Sequence, residues 1–408
     1  MHATTDTMVF STYRDVHRGL ASRTLTRSID PARYERDNVV EGVVLMLDGA
    51  PHRERRALEN ALFRRDILTY YERELFPRII AATLDPIAGT GSTDLVQAGS
   101  LLAIVLSART AGVDVDDDSI EEREQLIELA TAFTRAVALD VVVTGEEEIR
   151  AASARALREF TDTFLRPSWE RRARLLDRVA AGDLAEHDLP RDLLTTLLRN
   201  QERYGLDDDQ IARETAFYLE AGADTNAQAL TNSMDFILDH IAADPSSAAG
   251  LADDLFLIQR FVHEAVRLRP TVPQIRRRAS ADTSVCGRPV AAGTVVELDA
   301  EAANRDVAVF GPDAGEFNPW REVPAKVPRY AHAFGSGAHA CIGRTLAVGL
   351  PVPAPEERPD DHLHGVVPLM VQALLRRGVR RDPAATPVPD RFSTRETRWS
   401  RYPVVFSC

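Results

Sequence analysis

Cysteine is scarce in this sequence, and its three cysteines, Cys286, Cys341 and Cys408, lie far apart. A disulfide framework needs an even, closely spaced set, and a structural zinc site needs clustered ligands, so neither is expected. Widely spaced free thiols are typical of a reducing compartment. The sequence therefore predicts a cytoplasmic protein.

Long apolar runs are missing as well. The longest candidate, Leu101 to Leu106, is far shorter than the roughly 20 residues that a helix needs to span a bilayer. The N-terminus, MHATTDTMVFSTYRDV, lacks the basic stretch followed by an apolar segment that marks a secretory signal. We expect neither a membrane anchor nor export.

Positive charge is outnumbered, because 49 Lys and Arg residues stand against 62 Asp and Glu residues and leave a net charge of −13. Such an acidic chain is a poor candidate for nucleic-acid binding, although it can carry a local basic patch. Apolar residues form 44% of the sequence and charged residues 27%, which suits a globular protein with a large core. The length of 408 residues leaves the number of domains open.

Apolar spacing and chain breakers predict a mainly helical fold with small β-sheets. The predicted helices are 51–82, 94–111, 120–137, 148–179 and 207–243, with a polar connector at 180–189. The last helix contains one breaker, Gly222, and its roughly 35 residues would extend about 50 Å at 1.5 Å per residue. After Pro270 the runs become short and β-like, at Val285, 293–298 and 402–406. The acidic, proline-rich stretch 351–365 is predicted to be a surface loop.

The sharpest local pattern is FGSGAHACIG at positions 334–343. Its glycines allow a tight turn around the cysteine, whose sulfur would then be approached by backbone N–H groups. His339 and Cys341 offer only two neighbouring ligands, too few for a zinc site. The alternative interpretation is a glycine-rich turn beside a buried cysteine.

This decapeptide resembles the haem-binding loop of the cytochrome P450 family. The matching positions are Phe334, Gly335, Gly337, His339, Cys341 and Gly343. The resemblance implies that the cofactor is haem b, that the Cys341 thiolate ligates the iron and that His339 contacts a haem propionate. It also implies that Gly343 lets the next helix pack close under the ring. The implied fold is one cytochrome P450 domain, 1–408, with a long central helix over the haem.

Two further segments resemble motifs of the family. Glu264-Ala-Val-Arg267 is similar to its Glu-x-x-Arg motif, and Phe317-Asn-Pro-Trp-Arg321 to the later segment whose arginine completes a charge network. The resemblance implies that this network supports the cysteine loop. Alternatively, Glu264 and Arg267 form an ordinary surface pair three residues apart on a helix.

The segment AGADTN at 221–226 resembles the oxygen-activation motif of the family. Asp224 and Thr225 would be the acid–alcohol pair that relays protons, and Asn226 stands where a second threonine is common. Its position in the middle of the longest predicted helix fits this role. Alternatively, Gly222 and Thr225 only allow close packing against another helix.

Three basic residues match the propionate contacts of the family. His52 and Arg56 lie four positions apart, so one helical face would present both. Arg277 occupies the third position, with a register that is uncertain by one because Arg276 and Arg278 flank it. Alternatively, Arg276, Arg277 and Arg278 form a solvent-exposed run of arginines.

Four residues are candidates for the substrate pocket, namely Glu220, Ala221, Val272 and Gln274. Glu220 stands where family members mostly carry an apolar residue. An ionised carboxylate beside an apolar cavity needs a partner, which would be a protein cation, ordered water or a donor group of the substrate. A substrate partner would be an amine or a hydroxyl. Alternatively, Glu220 faces solvent or an arginine of a neighbouring helix.

The resemblance extends from Met8 to Phe406, where MVFSTYRDV is similar to an early strand and the start of a helix. It departs from the family in two places. The strand and helix that usually precede Met8 are shortened, and the stretch 351–365 interrupts the helix after the cysteine loop. We expect that helix to stop near Leu350 and to resume near Val367.

The resemblance implies a monooxygenase that inserts one atom of O2 into a small organic substrate, as in the tailoring of a natural product. The chain has no room or motif for a fused electron-transfer module, so separate ferredoxin and ferredoxin reductase are the expected donors. An acidic carrier would be attracted by arginines near the thiolate side, namely Arg53, Arg55, Arg64, Arg65 and Arg344. The alternatives are a peroxide-driven haem-thiolate enzyme, which would not need Asp224 and Thr225, and a non-catalytic haem-binding protein.

Overall fold

The structure is a computed structural model that describes residues 7–27, 38–116, 119–139, 145–354, 357–390 and 398–407. Cys408 therefore lies outside the described residues. Contacts divide the chain into two compact units. The first unit comprises Met1–Ile29, Thr69–Gly99 and Asn226–Cys408, and the second comprises Asp30–Leu68 and Ser100–Thr225.

Helices dominate both units, in agreement with the predicted fold class. The α-helices are α1 Tyr13–Ala21, α2 Gly49–Glu59, α3 Arg65–Tyr70, α4 Phe76–Gly89, α5 Leu95–Ala111, α6 Ile120–Val137, α7 Glu146–Phe160, α8 Arg166–Ala180, α9 Leu193–Arg199, α10 Gln201–Tyr204, α11 Asp208–Ala243, α12 Ser247–Asp253, α13 Leu255–Leu268, α14 Ala300–Ala303, α15 Val307–Phe310, α16 Arg344–Val348 and α17 Val366–Arg376. No helix in the described part of the chain is long and apolar enough to cross a membrane.

The predicted long helix is confirmed as α11, which has 36 residues. The predictions for 94–111 and 120–137 are confirmed by α5 and α6. The predicted helix 148–179 corresponds to α7 and α8, joined by a π-turn at Thr161–Leu165. The π-turn directly precedes Arg166-Pro167, and proline has no N–H with which to continue regular helical hydrogen bonding.

The prediction of one helix over 51–82 is wrong. Helix α2 ends at Glu59, a 3-10 turn follows at Asn60–Phe63, and the chain is extended at Arg64 before α3 begins. The apolar positions Leu62 and Ile67 are five residues apart, which breaks the helical period of 3.6. A second π-turn, Tyr71–Leu75, precedes α4 and its Pro77.

The strands belong to the first unit. They are β1 Met8–Phe10, β2 Leu25–Thr26, β3 Ser92–Asp94, β4 Gln274–Ala279, β5 Thr283–Val285, β6 Arg288–Val290, β7 Val295–Asp299, β8 Val379–Arg381, β9 Val388–Pro389, β10 Trp399–Arg401 and β11 Pro403–Phe406. The largest sheet has the order β1-β7-β4-β2, and β1 lies parallel to β7 with Met8 opposite Val296. Phe10, Leu20 and Leu298 are buried together behind this sheet. The predicted early strand and following helix are thus β1 and α1.

The stretch 351–365 is only partly a surface loop. Residues 357–361 are exposed, but His362 and His364 are buried, which corrects the prediction. The backbone N–H groups of His364 and Gly365 donate to the two carboxylate oxygens of Glu72 at 2.8 and 2.9 Å. Because this carboxylate anchors the backbone from another helix, the end of the stretch is fixed inside the unit. The helix after the cysteine loop ends at Val348 and the next begins at Val366.

Candidate functional site

The cysteine loop of the first unit presents Cys341 at the surface of the unit. Cys341 forms no disulfide and its side chain is exposed, so the alternative of a buried cysteine is wrong. Its backbone N–H donates to Phe334 O at 2.8 Å, which closes the loop. Gly335 and Gly337 have φ values of 63° and 74°, and a Cβ at Gly337 would lie 2.6 Å from Leu20 O. The loop therefore needs glycine at 337 both for its backbone conformation and for its close approach to α1.

The other residues predicted in this loop lie around the thiol-bearing turn. Phe334 is half-buried and packs edge-on against Tyr330, with 5.0 Å between ring centroids. His339 is half-buried at the end of a 3-10 turn, Gly337–His339. Gly343 is the N-cap residue of α16.

Glu264, Arg267 and Arg321 meet in a buried charge network. Arg267 donates to both oxygens of Glu264, at 2.8 and 2.7 Å, and Arg321 Nε donates to Glu264 Oε1 at 3.2 Å. Arg267 is completely buried. The alternative of an exposed surface pair is therefore wrong.

Backbone carbonyls take up the remaining N–H groups of the two arginines. Arg267 Nη1 donates to Asn304 O and Ala314 O at 2.6 and 2.8 Å. Arg321 Nη1 donates to Phe310 O and to Asp313 Oδ1 at 2.6 and 2.7 Å. The network thereby fixes the irregular segment that leads to the cysteine loop.

Strand β4 separates the three consecutive arginines by the alternation of its side chains. Arg277 is buried, whereas Arg276 pairs with Glu297 at 3.3 Å and Arg278 is half-buried. Gln274 Nε2 donates to the same Glu297 at 2.6 Å. Of the other candidates for the substrate pocket near this strand, Val272 is 49% exposed.

Helix α2 of the second unit carries the other two predicted propionate contacts. His52 is buried and Arg56 is half-buried, four positions further along the helix. The prediction that Arg55 belongs to an exposed basic patch is wrong, because its buried guanidinium donates to Glu214. Position 55 is turned about 100° from 56 on the helix, which explains why neighbouring arginines differ in exposure. The other members of that patch, Arg53, Arg64, Arg65 and Arg344, are exposed.

The oxygen-activation motif lies in an unbroken part of α11. Asp224 and Thr225 are half-buried, and Thr225 Oγ1 donates to Ala221 O at 2.7 Å. A Cβ at Gly222 would lie 2.6 Å from Ser107 Oγ, so close packing against α5 does require a small residue there. Glu220 is only 5% exposed, which excludes the alternative that it faces solvent.

Sequence reasoning missed two groups of buried titratable residues. In the second unit, Glu59 and Glu214 are both fully buried, and Tyr218 OH donates to Glu59 Oε2 at 2.7 Å. In the first unit, His263 is buried beside Glu264, and burial lowers its pKa to about 4. Glu59 and Tyr218 are 159 positions apart, so no local pattern could have revealed their contact.

Comparison with known proteins identifies the family. A family model described as Cytochrome P450 matches residues 3–348, most of the chain. The chain therefore belongs to the cytochrome P450 family, whose members are haem-thiolate oxidoreductases that use haem b.

Curated relatives match parts of the chain. Bifunctional cytochrome P450/NADPH–P450 reductase 2 of Bacillus subtilis is 31% identical over 194 residues, covering 43% of this chain and 18% of the relative. Cytochrome P450-terp of a Pseudomonas species is 30% identical over 205 residues, covering 50% of this chain and 46% of the relative. The matches thus span less than half of the length of these relatives.

Solved structures share the fold over almost the whole chain. Substrate-free CYP109E1 from Bacillus megaterium is 19% identical with a TM-score of 0.73, covering 100% of this chain and 94% of that chain. P450BioI in complex with a fatty-acid-ligated acyl carrier protein is 21% identical with a TM-score of 0.71, covering 98% and 92%. The cytochrome P450 fold is confirmed by this likeness.

Proposed function

We propose that this protein is a haem-thiolate monooxygenase that inserts one oxygen atom from O2 into a small organic substrate. The observation that carries this proposal is the exposed Cys341, which forms no disulfide and lies in a loop whose shape requires glycine at 337. A thiolate iron ligand must be free of disulfides and accessible, so the loop fits haem. When bound, haem supplies the reductive activation of O2 and the transfer of oxygen to the substrate.

The chain's own residues hold the cofactor. Cys341 ligates the iron, and Phe334, Gly335 and Gly343 shape the loop around it. The haem propionates would accept hydrogen bonds from four residues whose charge is positive or depends on pH, namely His339, Arg277, His52 and Arg56. Buried Glu264, Arg267 and Arg321 keep the supporting segment rigid.

Asp224 and Thr225 would relay protons within the active site. The Thr225 hydroxyl donates to Ala221 O, which orients its lone pairs away from the helix backbone to accept a proton. Asp224 is the acid that would return a proton to the Thr225 hydroxyl. A peroxide-driven enzyme would not need this pair, so its presence favours use of O2.

The electron donors of the proposal are a separate ferredoxin and its reductase. Exposed Arg53, Arg64 and Arg65 provide positive charge in an otherwise acidic protein. Such charges increase the association rate of an acidic carrier and lose their effect at high salt.

For the substrate, we propose an amine or hydroxyl that pairs with the buried carboxylate of Glu220. Glu220→Gln should then weaken binding by about 1–3 kcal/mol, the loss expected for a charge-assisted hydrogen bond. Titrating the change of the haem spin state with matched ligands, with and without the polar group, measures this loss. Equal weakening of both ligands would remove Glu220 from substrate recognition.

The test of the overall function begins with compounds that shift the haem from low to high spin. The strongest of them is incubated with isotopically labelled O2, ferredoxin, reductase and NADPH. We expect one labelled oxygen atom in the product. Product formed only with hydrogen peroxide, or without label from O2, would contradict the monooxygenase proposal.

A further inference from the structure

Two carboxyl groups of the second unit are buried close to each other. Glu59 is the last residue of α2, and Glu214 lies in the first half of α11. Both side chains are 0% exposed. Two ionised carboxylates without water would repel each other strongly, so their partners decide whether both can be charged.

Glu214 has the partners of an ionised carboxylate. Arg55 Nη1 donates to its Oε2, and the backbone N–H of Val44 donates to its two oxygens at 3.1 and 3.2 Å. The guanidinium and Glu214 therefore cancel each other's charge. No second cation forms an ion pair with Glu59 among the described residues.

Glu59 has the partners of a protonated carboxyl. Its Oε2 accepts from Tyr218 OH at 2.7 Å, whereas its buried Oε1 accepts no hydrogen bond. A proton on Oε1 would make this atom a donor to the carboxylate of Glu214, which lies close enough to Glu59 to act on it electrostatically. Burial, followed by the charge of Glu214, raises the pKa of Glu59 well above its ordinary value.

One further charged group, Arg56, lies near the pair. Besides Arg55, helix α2 brings Arg56 near enough to act on Tyr218 electrostatically. Helix α9, which also packs against α2, buries only uncharged residues, namely Leu193, Leu194, Thr195 and Leu197. A single proton thus balances the charges of the directly paired groups, Arg55, Glu214 and Glu59.

The cluster fixes how α2 is oriented. Arg55 and Glu59 lie four residues apart on one face of this helix, and His52 and Arg56 lie four apart on a neighbouring face. Val44 attaches the segment before the helix to the same Glu214. Contacts before, within and at the end of the helix therefore set its rotation about its own axis.

We propose that Glu59 and Glu214 share one proton and that this protonated pair is a positioning element that turns His52 and Arg56 toward the haem propionates. The inference rests on the proposed propionate role of His52 and Arg56. Loss of the proton would leave two buried, charged carboxylates with one directly paired arginine, Arg55, so α2 would move away and loosen its hold on the haem.

The sign of the pH effect follows from the raised pKa of Glu59. Opening exposes a glutamate with the ordinary pKa of 4.5, while the closed pair keeps its proton to higher pH. Closure is therefore favoured most at low pH, and the open fraction rises by up to about tenfold per pH unit between these two pKa values. Haem release through this opening should accelerate in the same window.

The experiment measures haem transfer from the holoprotein to excess apomyoglobin as a function of pH. Glu59→Gln keeps a donor for Glu214 and an acceptor for Tyr218 but has no proton to lose. We expect its release rate to lack the alkaline rise of the wild type. The control, Glu54→Gln, removes the same charge from an exposed position of the same helix and should retain the rise.

Infrared spectroscopy provides a readout that does not depend on activity. The wild type and Glu54→Gln should show the C=O stretch of a buried carboxylic acid that shifts on exchange into D2O, and Glu59→Gln should lack it. A band that survives in Glu59→Gln would overturn the shared proton. Equal pH profiles of haem release in Glu59→Gln and the wild type would overturn the positioning role, whereas a protein without thiolate-ligated haem would instead contradict the proposed function.

Tyr218→Phe gives a second variant in case Glu59→Gln folds poorly. The Tyr218 hydroxyl lowers the pKa of Glu59, so its removal should extend the rise of haem release to higher pH. An unchanged upper limit of the rise would overturn the proposal.

Discussion

Two buried charge clusters, one in each unit, differ in how their charges are balanced. In the first unit, Glu264 and Asp313 pair with Arg267 and Arg321, so two negative and two positive groups cancel. In the second unit, among the described residues, Glu59 and Glu214 have one ion-paired arginine between them, Arg55, which pairs with Glu214. The comparison teaches that arginine makes a buried network independent of pH, whereas a carboxyl pair with one cation depends on a proton.

The first unit has its own titratable group next to the balanced network. His263 Nε2 lies 2.8 Å from Val348 O, and its buried Nδ1 has no hydrogen-bond partner. Protonation would place an unpaired N–H and a charge in this position. We therefore expect the first unit to be sensitive to acid at His263 and the second to be sensitive to alkali at Glu59.

The largest effect should come from breaking the balanced network with Arg267→Leu. This change leaves Glu264 buried with one arginine fewer, and removing one partner of a buried pair costs about 3–5 kcal/mol. Chemical denaturation should show this loss of unfolding free energy, together with reduced haem content. The control Arg376→Leu removes an exposed arginine and should cost less than about 1 kcal/mol. Equal losses in both variants would contradict the importance of the network.

The same comparison can be made within α2 by changing adjacent exposed and buried arginines. Arg55→Gln leaves Glu214 without its cation and should cost about 3 kcal/mol of unfolding free energy. Arg53→Gln changes an exposed residue and should cost no more than about 0.5 kcal/mol, while slowing reduction by an acidic carrier at low salt. Stability and stopped-flow reduction should therefore respond to different arginines, and a stability loss shared by both variants would refute this assignment.

Lowering the pH should destabilise the first unit through protonation of His263. Its pKa falls from 6.5 to about 4 in the folded protein, so its contribution is complete above pH 6.5 and is lost as the pH falls to about 4. The total loss is roughly 3 kcal/mol. His263→Gln can retain the donor to Val348 O without titrating, and unfolding midpoints measured across this range should decline less steeply. An identical decline in the variant would exclude His263 as the acid-sensitive group.

Thr225→Ala should have a small effect on stability, because the Thr225 hydroxyl donates to Ala221 O of its own helix, α11. We expect a loss of about 1 kcal/mol or less in unfolding free energy. Haem and substrate should still bind, but more hydrogen peroxide should be released per electron consumed because proton delivery is disturbed. The ratio of product to NADPH measures this coupling, and an unchanged ratio would remove Thr225 from the relay.

The sequence predicts features that are set by local pattern. The length of α11 follows from the near-absence of chain breakers, and the cysteine loop follows from glycines whose φ values are positive. The break after Glu59 was missed because an apolar residue continues the hydrophobic face at Leu62 although the helix has ended.

Burial of charge depends on partners that are distant in the sequence. The residues around Arg53 and Arg55 do not reveal that the guanidinium of Arg53 is exposed while that of Arg55 pairs with Glu214, 159 positions away. Likewise, Glu264 and Arg267 have the spacing of a common surface pair, and only the contact with Arg321, 57 positions from Glu264, encloses them. Which charged residues are buried at such sites depends on tertiary packing, and local sequence patterns do not determine that packing.

The identity of the iron ligand is tested most directly by the absorption spectrum of the reduced carbon monoxide complex. We expect the wild type, Cys286→Ala and Cys408→Ala to show the red-shifted band of thiolate-ligated haem, and Cys341→Ala to lack it. Persistence of the band in Cys341→Ala, or its loss in Cys286→Ala or Cys408→Ala, would contradict ligation by Cys341.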